Sequence, residues 1–398
     1  MTGRLANANY LRKLTRSDDP RRFPEASGGT NSFLPQLADE FGRRIFQPSP
    51  LKVFDGGRRI LHSASSYADV LFLRHGCRML RRKRGIRSLN RKQIASQIVK
   101  ILEADVSHLI LRTDITNFFG SIPVYEAMNL ESVQACFPAV EYAWCMKMLS
   151  ANPYTDDKLP RGLSISGELA EHFMAAFDRS VISHEGVVFY GRFVDDIVIV
   201  TASDDLDELE AAISDYLPKC LSFNPDKTQA CRWGDTRQAK AGFDYLGFSF
   251  RRTSNIASRK RSEVHVGIAT SKMLRYKKRV QLAFNDFIDN KDFRLLRDRI
   301  RYLTGGCSVY SSFQRRRITL GLSASHQDIT DDAALQALDA YLGNWIRTAS
   351  RDGVNSCFTK GQQTQLRRLS FTASYSKNIR HRFTGKRLWE IRGIFKHV

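Results

Sequence analysis

Runs of apolar, β-favouring residues mark the strands of this chain. The largely apolar segment "HLILRTDI" (108–115) predicts a buried strand. The segment "GVVFYGRFVDDIVIVT" (186–201) predicts two strands joined by a tight turn, with two adjacent aspartates at the turn. A further strand is predicted for "FDYLGFSFRR" (243–252). In "LKVFDGGRRIL" (51–61), an Asp-Gly pair between short apolar runs predicts a β-hairpin.

Apolar residues at helical spacing predict the helices. The segment "ESVQACFPAVEYAWCMKML" (131–149) predicts mostly helix, and "SGELAEHFMAAFDRSVI" (166–182) predicts one continuous helix. The apolar face of that second helix consists of Leu169, Phe173, Ala176 and Phe177. The acidic segment "SDDLDELEAAISDYL" (203–217) predicts a helix with Ser203 as its N-cap.

The character of the chain changes after about residue 255. The segment "YKKRVQLAFNDFI" (276–288) has a helical apolar face formed by Val280, Ala283, Phe284, Phe287 and Ile288. Further helices are predicted near 293–303 and 333–348. Residues 355–398 hold ten Lys or Arg and one acid. We therefore expect a basic, α-helical C-terminal region.

The charge balance indicates a polyanionic partner. Lys and Arg outnumber Asp and Glu by 62 to 41, which gives a formal net charge of +21. Residues 78–92 hold eight Lys or Arg and no acid. Nucleic acid and a membrane surface are the two candidate partners. For nucleic acid, the candidate phosphate contacts are Arg81, Arg82, Lys83, Arg84, Lys277 and Lys278.

The sequence favours nucleic acid in the cytoplasm over a membrane. No apolar run approaches the roughly 20 residues that a membrane-spanning helix needs, and the first residues lack the apolar segment of a secretion signal. The seven cysteines are scattered, without a C-x-x-C pair, which fits free thiols in a reducing compartment. We expect no membrane partner.

Three aspartates follow or interrupt apolar strands. Asp195 and Asp196 form the doublet at the predicted turn, and Asp114 ends the strand in 108–115. If those strands are neighbours in one sheet, the carboxylates converge. Converging carboxylates repel unless a cation lies between them, and hard oxygen ligands suit Mg²⁺. Two such ions roughly 3.5–4 Å apart would form the clamp used for in-line phosphoryl transfer.

The same residues carry a resemblance to the reverse transcriptase family. "FVDD" resembles the aspartate doublet of that family, "DITNFFGSI" its first catalytic motif, and "LPRGLSISGELAE" its template-positioning loop and helix. "FNPDKT" and "FDYLGF" resemble two later motifs, in the family's order, within about residues 110–250. "GGRRI" (56–60) is similar to an arginine element of the fingers.

The resemblance implies an α+β fold of the right-hand polymerase type, with fingers, an RRM-like antiparallel palm sheet and a helical thumb. The implied domains are an N-terminal segment with fingers (1–105), the palm (106–252) and the basic thumb or C-terminal domain (253–398). Fingers helices at about 124–185 are inserted into the palm. The implied activity is RNA-directed DNA synthesis from dNTPs with two Mg²⁺ ions, or Mn²⁺ in their place.

Within the family, "DITNFFGSI" and "LPRGLSIS" are most similar to the bacterial antiviral group, the abortive-infection and defence-associated reverse transcriptases. The region "RIRYLTGGC…LQALDAYL" resembles the helical part that follows the palm in that group. A retroelement reverse transcriptase, of intron or retron type, is one alternative. A non-enzymatic RNA-binding scaffold with a vestigial palm is the other.

The family's catalytic roles fall on specific positions of this chain. The resemblance implies that Asp114 and Asp195 bind the metal ions, together with the backbone carbonyl of Ile115, and that Asp196 supports them. Phe119 matches the aromatic residue that lies under the sugar and excludes a 2′-hydroxyl. The adjacent Phe118 is expected to be a core residue.

Substrate-binding roles are implied in the same way. Arg58 or Arg59, with Lys52, would hold the triphosphate, because Arg binds phosphate oxygens in a forked geometry. Lys227 would protonate the pyrophosphate. The remaining substrate contacts would come from the loop before the predicted 166–182 helix.

In that loop, Gly162 would let the backbone approach the base pair, and Ser166 would cap the helix or contact the template. Two positions depart from the family pattern: Arg161 stands where many members have Gln, and Gly167 follows Ser166 in place of Pro. Because a cation near the template base alters template reading, template-independent and protein-primed synthesis stay open beside RNA-directed synthesis. The implied partners are a template or associated non-coding RNA, the DNA product, dNTPs, and a second protein or another copy of the chain.

Overall fold

The computed structural model describes residues 3–28, 30–57, 59–84, 89–104, 106–150, 157–203, 205–234, 242–253, 263–311, 316–326, 329–351 and 358–395. The chain divides into two compact units. The first unit comprises Met1–Leu89 and Leu109–Ala230, and the second comprises Asn90–His108 and Cys231–Val398. The two units are defined by packing alone and do not test the predicted boundaries of the fingers, palm and thumb. Those boundaries stay predictions.

The secondary-structure elements are as follows. The α-helices are α1 (Ala8–Arg12), α2 (Glu25–Gly28), α3 (Thr30–Gly42), α4 (Tyr67–Lys83), α5 (Arg91–Leu102), α6 (Phe118–Ser121), α7 (Val124–Asn129), α8 (Glu131–Gln134), α9 (Ala139–Ser150), α10 (Ser164–Phe173), α11 (Ala175–Ile182), α12 (Leu206–Tyr216), α13 (Thr270–Asn290), α14 (Phe293–Thr304), α15 (Leu322–Ser325), α16 (Ala333–Arg351), α17 (Lys360–Arg367), α18 (Phe371–Ser376) and α19 (Gly385–Gly393). The strands are β1 (Lys52–Asp55), β2 (Ile60–Ser63), β3 (His108–Asp114), β4 (Val187–Phe193), β5 (Asp196–Thr201), β6 (Gln229–Trp233), β7 (Gly242–Tyr245), β8 (Phe248–Thr253), β9 (Glu263–Ile268), β10 (Gly306–Ser311), β11 (Arg316–Leu320) and β12 (Arg380–His381).

The sheet that carries the aspartates has the strand order β4-β5-β3-β6. Strands β3 and β5 are antiparallel, with Leu109 opposite Thr201 and Asp114 opposite Asp196. Strand β4 pairs antiparallel with the other edge of β5. The strand at 108–115 and the strand–turn–strand at 186–201 are therefore confirmed. The two strands are neighbours, as convergence of the aspartates requires.

One face of this sheet packs on the helical core of the first unit. Leu111, Ile197 and Ile199 are almost fully buried and belong to one cluster with Leu169 of α10 and Phe177 of α11. Side chains alternate between the faces of a strand. Asp114 and Asp196 therefore project from the opposite face, away from this cluster.

The helix predicted over 166–182 is two helices in the structure. Helix α10 ends at Phe173, Met174 serves as its C-cap, and α11 begins at Ala175. Leu169, Phe173 and Phe177 are buried as predicted, but Ala176 is exposed. The apolar face predicted for one continuous helix was therefore wrong at Ala176, because α11 is a separate helix that begins after the break.

Two helix starts show how polar residues fix the local structure. Helix α4 begins after Ser66, whose hydroxyl accepts from the Asp69 N–H while the Asp69 carboxylate accepts from the Ser66 N–H. The acidic helix α12 is capped by Asp205, whose side chain accepts from the Glu208 N–H. The prediction of Ser203 as its N-cap was wrong, since the Ser203 hydroxyl accepts from the Asp205 N–H instead.

The hairpin predicted at 51–61 is confirmed. Strands β1 and β2 pair antiparallel, from Lys52 opposite Ser63 to Asp55 opposite Ile60. The Asp55 carboxylate accepts from the Gly57 N–H at 2.7 Å and stabilises the turn. Both strands are mostly exposed.

The second unit contains two further sheets, with strand orders β7-β8-β9 and β11-β10-β12. The segment 243–252, predicted as one strand, forms most of the hairpin β7–β8. Its turn residues Leu246 and Gly247 have φ of 49° and 88°, which is the left-handed pair that a tight hairpin turn requires. In the other sheet, β12 pairs with β10 in parallel.

The predicted C-terminal helices are present as α13, α14 and α16. Val280, Ala283, Phe284 and Phe287 of α13 are buried, whereas Ile288 is 40% exposed. The C-terminal region is not purely helical, because β9, β10, β11 and β12 lie within it. The α+β fold class is confirmed. Within the described part of the chain, no helix is both long and apolar enough to span a bilayer.

Candidate active site

The three aspartates lie at one end of neighbouring strands. Asp114 ends β3 directly opposite Asp196 at the start of β5, and residues paired in this way have Cα atoms about 4.5–5.5 Å apart. Asp195 belongs to the turn between β4 and β5. Its carbonyl accepts from the Ile115 N–H at 3.1 Å, which ties the turn to the end of β3. Residues 80 or more positions apart in sequence therefore meet.

The turn before the aspartates has a strained backbone. Val194 has φ of 63°, which is unusual for a β-branched residue and costs about 1–3 kcal/mol. The Arg192 guanidinium donates to the Val194 carbonyl at 2.9 Å and fixes this conformation. The strain is thus compensated by a specific contact from the preceding strand.

Burial and mutual repulsion act on the doublet. Burial raises the pKa of Asp195, and the charge of Asp114 raises it further, while Lys227 and Arg59 oppose the increase. Burial also raises the pKa of Asp196, and the charges of Asp195 and Asp114 add to the effect. Burial and like-charge repulsion thus both disfavour ionisation of the doublet, and a cation bound between the carboxylates would relieve that repulsion.

Lys227 supplies part of that positive charge. Its ammonium donates to Asp114 Oδ1 at 2.8 Å, although half of the lysine side chain is exposed. The backbone positions it, because the Asn224 N–H donates to the Asp114 carbonyl at 2.7 Å. The Asn224 side chain also caps the short 3₁₀ turn Pro225–Lys227. The segment "FNPDKT" is thereby attached to the end of β3.

The donor chemistry suits a divalent cation, although the side chains do not form a closed ligand set. Carboxylate oxygens are the ligands that Mg²⁺ prefers, and a cation would relieve the repulsion among the aspartates that, after burial, raises the pKa values of Asp195 and Asp196. Across the described residues, no three His, Cys, Asp or Glu side chains are grouped as a metal site. Asp114 is engaged with Lys227 instead.

Two further cations act electrostatically on the aspartate site. Burial and the charge of Arg59 lower the pKa of Arg161, while the charge of Asp195 raises it. The Arg161 guanidinium donates to Asn117 Oδ1 at 2.6 Å. Arg59 and Lys52 are exposed on the β1–β2 hairpin. The predicted Arg58 lies outside the described residues.

Gly162 is required by the backbone. Its φ is +99°, and a Cβ at this position would lie 2.6 Å from the carbonyl oxygen of His62. The neighbouring Arg161 carbonyl accepts from the His62 N–H at 2.7 Å. Strand β2 and the loop before α10 are therefore held in close contact. The predicted approach of the Gly162 backbone to a base pair stays a prediction.

Ser166 does not cap the helix, so that prediction was wrong. It lies inside α10, whose N-cap is Leu163. The Ser166 hydroxyl is buried and donates to the Pro160 carbonyl at 2.7 Å, where it holds the loop against the helix. Its predicted template contact stays a prediction.

The two adjacent phenylalanines differ in burial as predicted. Phe118 is 2% exposed and belongs to the core of the first unit, whereas Phe119 is only partly buried against that core. Their rings pack edge to face with centroids 5.2 Å apart. Phe119 is thus only partly buried, as contact with a sugar requires.

The predicted phosphate contacts at the end of α4 differ in their surroundings. Arg81 Nε donates to Glu168 at 2.6 Å, and Arg84 lies within 3.7 Å of Glu168 and Glu171. Arg82 and Lys83 are exposed. In the second unit, Lys277 lies over the Tyr341 ring and Lys278 is exposed. Binding of nucleic acid by all six residues stays a prediction.

Sequence reasoning missed a buried ionic cluster next to the turn. Arg192 makes two hydrogen bonds to Asp178, at 2.8 and 2.7 Å, and further ones to Glu171. The Tyr190 hydroxyl donates to the same Asp178 at 2.6 Å. The signal in the sequence was the single arginine inside an otherwise apolar strand. Because a charge is rarely buried without a partner, this arginine would have indicated an acidic residue beside it.

Comparison with known proteins identifies the class of domain. Residues 74–250 match the family described as reverse transcriptase (RNA-dependent DNA polymerase). This stretch of the chain is therefore similar to a reverse transcriptase domain. Its α+β architecture with antiparallel sheets is consistent with a right-hand polymerase fold. The match includes Asp114, Asp195, Asp196 and Lys227, so the resemblance found in the sequence is confirmed at the level of this family.

Solved structures similar to the chain include two telomerases. Apo telomerase from Candida tropicalis, truncated from its C-terminal domain, is 12% identical, with a TM-score of 0.37 over 52% of this chain and 53% of that chain. Telomerase from Candida albicans, in complex with the TWJ fragment of telomeric RNA, is 14% identical, with a TM-score of 0.34 over 77% and 55%. The chain thus spans about half the length of either telomerase chain, and scores this low carry no argument. No curated protein sequence matches the chain.

Proposed function

We propose that this protein is a divalent-metal-dependent RNA-directed DNA polymerase that acts in bacterial antiviral defence. The observation that carries the polymerase proposal is the cross-strand pair of Asp114 and Asp196, with Asp195 in the adjoining turn. It lies inside the segment that matches the reverse transcriptase family. The charge of +21 supports a nucleic-acid substrate.

In this proposal Asp114, Asp195 and the Ile115 carbonyl would hold two divalent ions, Mg²⁺ or Mn²⁺, which supply activation of the primer hydroxyl and neutralisation of the leaving pyrophosphate. Asp196 supports the site from its position opposite Asp114. Lys227, which donates to Asp114 in this structure, would supply a proton to the pyrophosphate if the metal ions took its place at Asp114.

Substrate contacts come from the residues around the carboxylates. Arg59 and Arg161 face Asp195 and would bind triphosphate oxygens. The accessible ring of Phe119 would lie under the sugar and exclude a 2′-hydroxyl. The substrate is therefore proposed to be dNTP. Priming from RNA, from DNA or from a protein hydroxyl is compatible with this arrangement.

The proposed defence role rests on the similarity of "DITNFFGSI" and "LPRGLSIS" to the bacterial antiviral group. The proposed cytoplasmic location rests on the seven scattered cysteines, which fit free thiols in a reducing compartment. The proposed partners are a template or associated RNA, the DNA product and a second protein or another copy of the chain. A retroelement reverse transcriptase would differ by binding one structured RNA encoded beside it.

DNA synthesis by purified protein tests the polymerase proposal. The wild type, Asp195→Asn and Asp215→Asn are incubated with Mg²⁺ and labelled dNTPs, with and without co-purified RNA. Asp215 is an exposed residue of α12, so its variant controls for the loss of one charge. Asp195→Asn should reduce the amount of product by more than about 100-fold. Loss of a residue that only hydrogen-bonds a metal ligand already costs about 10–100-fold, and Asp195 is proposed to be a ligand itself. Asp215→Asn should match the wild type.

Equal product from the wild type and Asp195→Asn would contradict the polymerase proposal and favour an RNA-binding scaffold. The defence role is measured separately, as phage plaque formation on bacteria that express each variant. Protection by the wild type and Asp215→Asn, but not by Asp195→Asn, is expected. Protection by Asp195→Asn would separate defence from DNA synthesis.

A further inference from the structure

The second unit contains a cavity of about 660 Å³ lined by residues of α13, α14 and α19 and by Phe395. This volume is within the range of about 300–1,000 Å³ found for ligand sites. Helix α19 contributes Gly385, Leu388, Trp389 and Arg392, which recur at helical spacing and therefore share one face. Tyr302 of α14 and Arg279 of α13 complete the lining.

The lining combines accessible aromatic rings with arginines. Trp389 is 69% exposed, although tryptophan usually buries most of its surface. The Arg279 guanidinium lies 5.9 Å from the centre of the Phe395 ring. Within the described residues, Arg392 is exposed and makes no hydrogen bond or ion pair. A single exposed Trp would mean little, but this one borders a cavity with two guanidinium groups.

Acidic side chains close to α19 are engaged elsewhere. Arg387 Nε donates to Asp298 at 2.9 Å, and Arg387 Nη1 donates to Glu390 at 2.9 Å. Glu390 is the acid among residues 355–398, which hold ten Lys or Arg. No carboxylate is among the described residues that line the cavity. Among its described lining residues the cavity therefore presents two guanidinium groups and no carboxylate.

We propose that this cavity binds an unpaired base of single-stranded nucleic acid together with its phosphate. The base would stack on Trp389, and Arg392 and Arg279 would contact phosphate oxygens. Aromatic rings accept the face of any base, and arginines bind phosphate in a forked geometry. A base in a duplex is already stacked on its neighbours, so the site requires a single strand. This inference does not depend on the polymerase activity of the first unit.

Quenching of tryptophan fluorescence tests the proposal on the full-length, nuclease-treated protein without dNTPs. The probes are oligouridylate and oligothymidylate of about 15 nucleotides, a duplex of equal length, and a poly-glutamate peptide. We expect saturable quenching by both single strands and at least about 5-fold weaker binding of the duplex and the peptide. Binding of RNA alone or DNA alone would identify the source of the strand. Equal binding of the duplex or the peptide would overturn the proposal.

Variants locate the binding. Trp389→Ala should weaken binding of the single strands by about 5- to 100-fold, measured by anisotropy of labelled oligonucleotide, as for loss of one stacked base. Trp389→Phe should recover part of the affinity. Tyr310→Ala, which removes a 55% exposed aromatic ring of β10 outside the cavity, should change the affinity less than 2-fold by the same reasoning. Equal effects of the two alanine variants would overturn the proposal.

The salt dependence of oligonucleotide binding distinguishes a defined phosphate contact in the cavity from diffuse electrostatic attraction. Arg392→Gln should reduce the slope of log affinity against log salt by about 1. Arg382→Gln removes a charge that is also exposed but lies outside the cavity, and it should leave the slope unchanged. Equal slopes for both variants would contradict a defined phosphate contact. These assays contain no dNTPs and do not measure DNA synthesis, so failure of the polymerase proposal would leave this result unaffected.

Discussion

Arg192 and Asp178 form a buried ion pair with two hydrogen bonds next to the turn that carries Asp195 and Asp196. The same arginine holds the carbonyl of Val194, the residue with the strained backbone. The pair thus links helix α11 to the position of the turn that carries the two aspartates.

Removing one partner of this pair should destabilise the protein. Asp178→Asn removes the charge that accepts two hydrogen bonds from the buried guanidinium and leaves it with its contacts to Glu171; removing one partner of a buried ion pair typically costs about 3–5 kcal/mol. We expect a loss of this size in the free energy of unfolding, measured by urea denaturation. Asp39→Asn disrupts the exposed pair with Arg43 and should cost less than about 1 kcal/mol. Similar losses in the two variants would show that the buried pair contributes no more than a surface pair.

The Asp19 carboxylate should make stability depend on pH. Burial raises its pKa, but hydrogen bonds from Arg74, Arg16 and Tyr67 outweigh this and leave the pKa below its usual value. Arg74 donates to both carboxylate oxygens at 2.6 Å. Because the pKa is lower in the folded state, the stabilisation is fully present above the unfolded value of about 3.9 and is lost as pH falls through the folded pKa.

Asp19→Asn should therefore cost about 1–3 kcal/mol at pH 7, with a difference from wild type that shrinks below about pH 4. Denaturation midpoints measured from pH 7 to pH 3 would follow this change. Asp39→Asn, at an exposed position, should show a small difference at every pH. A constant difference for Asp19→Asn across the range would contradict the assignment.

Substitution by alanine should lower the stability of the protein at Gly162 and raise it at Gly167. At Gly162 the backbone has φ of +99° and a Cβ would meet the His62 carbonyl at 2.6 Å, so Gly162→Ala should cost more than about 1 kcal/mol. At Gly167, inside α10, a Cβ meets nothing within 4 Å, so Gly167→Ala should stabilise by about 0.5–1 kcal/mol. Thermal denaturation of the two variants measures both signs. A stable Gly162→Ala protein would show that the loop can move away from β2.

Phe119 and Phe118 allow a matched test of sugar selection. Phe119→Val should reduce the preference for dNTP over NTP by at least about tenfold, measured as incorporation of each nucleotide, because its ring is accessible. Phe118→Val should leave the preference unchanged but lower the free energy of unfolding by about 2–3 kcal/mol, because Phe118 is 2% exposed. An unchanged preference in Phe119→Val would remove this residue from the proposed site.

The sequence by itself determined the strands β3, β4 and β5, the turn at the aspartate doublet and the hairpin β1–β2. Apolar runs and Asp-Gly turns act over a few residues, so their signal is complete within each segment. The motif order also sufficed to indicate the family, which the match over residues 74–250 confirms. The segment 243–252 showed the limit, because its turn depends on the left-handed backbone of Leu246 and Gly247.

Only the tertiary structure decided which distant residues meet. Lys227 reaches Asp114 across 113 positions, Ser166 turns inward to Pro160, and Arg192 is neutralised by Asp178 on another element. The cavity between α13, α14 and α19 likewise combines side chains from separate helices. Local patterns fix the backbone conformation and the face on which a side chain lies. The partner on that face depends on how the chain returns through space, which no short segment encodes.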